Sequence, residues 1–125
     1  MEKVLRIVVG LAGLMFLILG LRWVIDPAAM ATKWEMPLLE GVALNSQIGD
    51  LGAFFFVGGL VILLGVVTRQ RQWFLSAALL IGTAGVFRIL ALLVHDATLP
   101  VDKLAGEVIL CCLLLIASKL LTNKS

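Results

Sequence analysis

The sequence predicts an all-α protein, a four-helix transmembrane bundle running up-down-up-down with both termini cytoplasmic, and three observations carry that expectation. Of 125 residues, 62% are hydrophobic and 14% charged, with a mean hydropathy of +1.13, too apolar for a soluble domain of this size. The apolar residues gather in four segments, 4–25, 48–67, 73–94 and 101–121, each long enough at 1.5 Å per residue to cross a hydrocarbon core of ~30 Å. No period-two alternation suits a barrel, and lipid tolerates no irregular backbone at that depth, so helices are the remaining solution. The four segments use nearly the whole chain, which makes it one domain.

The first segment has a rival reading as a secretory signal, with Lys3 and Arg6 as a basic head, an apolar stretch from Ile7 to Leu21, and Ala29-Met30-Ala31 as a cleavage site. The length of the stretch, and the grouping of Arg22, Trp23 and Asp26 at its end, favour a retained helix that finishes in the interface. The second segment is entered through Asn45, Ser46, Gln47 and Asp50. A carboxylate at the edge of the hydrocarbon costs a few kcal/mol unless another segment supplies its partner.

Small residues mark expected packing faces, since they let backbones approach where association in lipid depends on packing. In the second segment these are Gly49, Gly52 and Ala53, with Gly58, Gly59 and Gly65 further along; in the third, Ala77, Ala84 and Ala91 beside Gly82 and Gly85. Packing within one chain is preferred to a dimer seam. In the fourth, Glu107, Cys111, Leu114 and Ser118 share a face. Adjacent Cys111 and Cys112 fit neither a disulfide framework nor a zinc pattern and read as buried small hydrophobes.

The connections at Thr68–Gln72 and Asp96–Pro100 are short, so the helices they join are antiparallel neighbours. Asp26 to Gln47 is the long one. There Pro27 suits the first turn of a short helix, and Met30, Trp34 and Pro37-Leu38-Leu39 offer apolar contacts, with the segment lying in the interface, folded over the bundle mouth, or forming an ordinary surface loop. Lys3, Arg6, Arg69, Arg71, Lys119 and Lys124, six of the ten basic residues, fall at the termini and the second connection, which makes that side cytoplasmic. Trp23 and Trp73 then fall at opposite interfaces.

Within this frame Arg22, Asp50, Arg88 and Glu107 all lie in the outer half. His95 is seven residues from Arg88, two turns along the same face. The expected site is a ligand or ion-pair cluster of Arg22, Gln47, Asp50, Arg88, His95 and Glu107, in which Arg88, whose guanidinium never deprotonates, is neutralised by Asp50, Glu107 or both. A single histidine provides no bis-His haem ligation, and one His with scattered carboxylates makes a poor zinc or di-iron set, so neither cofactor, metal site nor catalytic set is expected. The scattered basic residues form no nucleic-acid patch. A faint internal repeat matches Arg22 and Asp50 with Arg88 and Glu107, each arginine followed by a proline-containing connection.

The order Leu21-Arg22-Trp23-Val24-Ile25-Asp26-Pro27, then Ser46-Gln47-Ile48-Gly49-Asp50-Leu51-Gly52-Ala53-Phe54-Phe55, then Arg88 and Glu107 resembles an uncharacterised family of small bacterial four-helix membrane proteins, similar in plan to the DoxX-like group. The resemblance covers essentially the whole chain and implies a multi-pass protein of the bacterial inner membrane. The DoxX-like group includes subunits associated with respiratory or thiol oxidation, a link by analogy alone.

Three function classes follow. The first is a binding, scaffold or accessory subunit, whose partners are the bilayer and a membrane protein or a second copy of the chain. The second is a carrier for a small polar solute or proton. The third is a membrane oxidoreductase or lipid-modifying enzyme, with His95, Asp96 or Glu107 as acid/base and Cys111 as redox thiol.

Overall fold

The structure, a computed structural model, describes residues 2–122; Lys124, used above for orientation, lies outside them. Among the described residues every regular element is helical: α1 (Glu2–Ile25), α2 (Pro27–Lys33), α3 (Gly41–Thr68), α4 (Arg71–His95) and α5 (Val101–Leu120). Three of these, α1, α3 and α4, are long and apolar enough to cross a membrane. The 20 residues of α5 also suffice in length, but Asp102, Lys103 and Glu107 in its first turns and Lys119 in its last make it more polar.

Helix α3 begins at Gly41 rather than near residue 48, because polar Asn45 and Ser46 disfavour lipid far more than they disfavour helix. Its second turn, Gln47–Leu51, is a π-helix, where i→i+5 closure adds a residue to the turn and rotates everything after it relative to everything before. Gln47 and Asp50, which would share an α-helical face, are thereby separated: Gln47 is buried and Asp50 exposed.

The long connection folds as its proline and apolar residues suggest. Asp26 caps α2 by accepting the Ala29 N–H at Oδ1 (3.3 Å), Pro27 occupies the first turn, and Met30 and Ala31 are buried. Helix α4 ends in a Schellman-type turn: Asp96 adopts φ 53°, its N–H donates to Leu92 O, and the Ala97 N–H reaches back to Ala91 O.

Packing partners run in opposite directions along α1 and α3: Arg6 donates from Nη2 to Val66 O (2.9 Å), Gly13 faces Gly59, and Gly20 faces Gly52 and Phe56. Antiparallel packing also joins α3 to α4, through Gly58 with Leu80 and Gly65 with Phe74, and α4 to α5, through Ala78 with Cys111 and Gly85 with Leu104. Helix α5 touches α1 as well. The α1–α3 seam is the closest, and its glycines on α1 are absent from the small-residue pattern expected of the second and third segments. Gly49 and Ala53, expected on a packing face, are exposed, and a Cβ at Gly49 would meet nothing within 4 Å.

Val9, Trp23, Ile62, Phe74, Ile81 and Leu114 fill the interior. Around them Ile7, Leu11, Val24, Val57, Leu79, Phe87, Leu93 and Ile109 point outward and exposed, an apolar surface that suits acyl chains and would be an aggregation liability in water.

Candidate functional site

At the end of the molecule where α2 meets the α4–α5 connection lies a chamber of about 840 Å³, within the size range of small-molecule sites. Its floor comes from α3, where Phe54 and Phe55 meet edge to face at 5.1 Å between centroids, and Phe16 of α1 packs on Phe55 at 5.3 Å. One wall is the turn after α2, with Trp34 stacked at a tilt on Phe55 at 4.9 Å. The opposite wall is α4, contributing Ala84, Arg88 and Ala91, and the rim is the segment from Ala97 to Lys103.

The chain holds this chamber open through a few polar ties. Gln47, brought inward by the π-turn, accepts the Leu39 N–H at Oε1 (3.0 Å) and donates from Nε2 to Pro37 O and Met36 Sδ, both at 3.1 Å. It thus pins residues 36–39 against α3, and Met36 is part of the wall. Across the chamber, Lys103 sits with Nζ 5.0 Å from the Trp34 ring centroid, a cation–π contact that joins α5 to the same turn. Substituting Gln47→Ala removes all three bonds at once and should cost about 2 kcal/mol, since each net bond is worth about 1 kcal/mol and the freed Leu39 N–H remains partly buried. Thermal unfolding in detergent checks the loss, and an unchanged midpoint would mean that the turn is held by Trp34 alone.

The six residues expected to cluster are placed in different ways. Arg88 and Glu107 meet: Arg88 Nε donates to Glu107 Oε1 at 2.7 Å, with side-chain exposures of 30% and 12%. Arg22 is exposed beside Lys33, at the end of a shallow apolar groove along α1 outside the chamber. Gln47 ties the turn as described. Asp50 points outward and makes no ion pair among the described residues, and His95 is exposed in the last turn of α4.

Several chamber residues lie outside the expected cluster. Trp23 and Trp34 each bury an indole Nε1 with no acceptor among the described residues, and both line the chamber. Lys103 lines it too, one helical turn before Glu107 and therefore on the same face; that i,i+4 spacing was the available signal. Cys111 lies on the packed side of α5, with Sγ 3.6 Å from Ala78 O, while Cys112 is exposed. No three His, Cys, Asp or Glu side chains come together among the described residues.

What the arrangement can do chemically is hold a molecule: an aromatic floor, donors without acceptors, and a guanidinium fixed at one edge by a carboxylate. Comparison of the chain with protein-family models, with curated proteins and with solved structures yields no match.

Proposed function

We propose that this chain is a multi-pass protein of the bacterial inner membrane, of the binding or accessory kind, and that the chamber is its binding site. In this reading α1, α3, α4 and α5 all cross the bilayer as an up-down-up-down bundle, similar in plan to the DoxX-like group, with both termini cytoplasmic and the chamber at the outer end. The single observation that carries the reading is the chamber of about 840 Å³ edged by the Arg88–Glu107 pair. Embedded charges that line a cavity mark function more often than charges sealed in a core.

A carrier needs a path to the other side. Below the chamber Val9, Ile62, Ile81 and Leu114 are fully buried against one another's helices, which closes the bundle and favours binding over passage. The enzyme reading draws no support from His95, which is exposed outside the chamber and pairs with no carboxylate among the described residues.

Native mass spectrometry of the protein released from nanodiscs tests the reading. A bound small molecule should survive on the wild-type chain and be lost from Ala91→Trp, which fills the chamber; equal occupancy of both variants would remove the chamber as the site. The topology is tested separately, in a variant lacking Cys111 and Cys112, by thiol labelling at Lys33→Cys and Gln70→Cys. Position 33 should label from outside and position 70 should be protected. The reverse pattern would place the chamber at the cytoplasmic end.

A further inference from the structure

In the covered part of the chamber wall the polar groups left over are donors. Trp23 and Trp34 bury donors that no acceptor meets, and Arg88 spends Nε on Glu107 while its two Nη groups make no hydrogen bond among the described residues. Burial weights the charges unevenly. Arg88 and Glu107 cancel across 2.7 Å, both largely covered. Lys103 is also covered, at 14% side-chain exposure, but the carboxylate of Asp102 stands 3.5 Å away at 75% exposure, where solvent screens it. Glu35, the remaining charged side chain of the lining, is likewise exposed at the rim. One positive charge therefore remains uncompensated in the covered part of the wall.

The shape supplies the second half of the argument. A cleft between α3 and α4, lined by Leu79, Leu80 and Phe87, opens on the apolar outer surface and shares Phe54 and Ala84 with the chamber. A molecule lying in the bilayer would reach the chamber sideways through this cleft, with no need to leave lipid. Resting on the proposal that the chamber is a binding site, we infer that its ligand is a single-chain amphiphile with a monoanionic, oxygen-bearing head. The head accepts from the Arg88 Nη groups and neutralises Lys103, and the chain leaves through the α3–α4 cleft. A free long-chain carboxylate and an anionic lysophospholipid with a glycerol headgroup share this chemistry. An uncharged head would leave Lys103 uncompensated, and the α3–α4 cleft, which meets the chamber at Phe54 and Ala84, gives one acyl chain its way out.

The test uses the full chain in detergent at mildly alkaline pH, with Trp73→Phe so that only Trp23 and Trp34 emit. Dibromostearate, whose bromines quench indole on contact, should quench saturably. Its methyl ester should bind at least about tenfold more weakly, the loss expected when one charge-assisted hydrogen bond goes. Lys103→Gln should weaken the carboxylate to the same degree and leave the ester unchanged. Displacement by unbrominated stearate or by a stearoyl lysophosphatidylglycerol then separates the two sources, the tighter competitor being the ligand class. Equal affinity of ester and carboxylate, or indifference to Lys103→Gln, overturns the inference while leaving a binding chamber. Absence of saturable quenching by either probe removes the chamber as a binding site altogether.

Discussion

Gly20→Val should cost about 3 kcal/mol or more, the upper end of what overpacking does, because it would strike backbone and the Phe56 Cβ that the backbone fixes. A Cβ at Gly20 would lie 2.5 Å from Phe56 N and 2.7 Å from Gly52 O, and these belong to the facing helix rather than to a side chain that can turn aside. The same holds at Gly59, whose Cβ would fall on Gly13 O and Leu17 N. Relief requires α1 and α3 to move apart along their whole contact, which would also part the Arg6–Val66 bond at one end and lift Trp23 from Gly52 at the other. Gly10 is the control, since it lies in the same helix and a Cβ there meets nothing within 4 Å. Gly10→Val should stay within about 1 kcal/mol of wild type, helix propensity and lipid contact being all that changes. Unfolding in detergent titrated with a denaturing surfactant reads both; equal losses at positions 10 and 20 would mean that the seam is not as close as the register of its glycines indicates.

How far the sequence could be read depends on which physical signal each feature leaves. Long apolar helices leave a strong one, and α1 and α4 begin and end within a few residues of the segments expected. The start of α3 is hidden because Asn45, Ser46 and Gln47 interrupt the apolar run, so Val42-Ala43-Leu44 reads as part of the connection, although Gly41 to Gln47 is helical throughout. The π-turn is the more consequential omission. Counting faces at 3.6 residues per turn puts Asp50 with Gln47 and toward Arg88; one added residue in the turn sends Asp50 outward and Gln47 in. The pairing of Arg88 with Glu107 is legible because both helices are joined by a short connection and both charges sit near the same end. The orphaned indoles were not legible, since a tryptophan at a helix end reads equally well as an interface anchor, and only the fold shows Trp23 covered on every side.

Removal of Glu107 should cost more than removal of Arg88, although the two share a single bond. Glu107→Ala leaves a guanidinium at 30% side-chain exposure that stays charged at any accessible pH, whereas Arg88→Ala leaves a carboxyl that can take up a proton and become neutral. Breaking a fully buried pair costs about 3–5 kcal/mol, and partial exposure on the arginine side reduces this. The expected losses are about 3 kcal/mol for Glu107→Ala and about 2 kcal/mol for Arg88→Ala. The double variant should cost less than the two together by at least about 1 kcal/mol, because neither charge is then stranded. Asp50→Ala, an exposed change with no partner, should stay within about 0.5 kcal/mol and add to Arg88→Ala without coupling. Coupling of Arg88 to Asp50 in place of Glu107 would require α3 to be regular through residues 47–51. The same measurement therefore tests the π-turn as well as the ion pair, and through it the orientation of every chamber residue that α3 contributes.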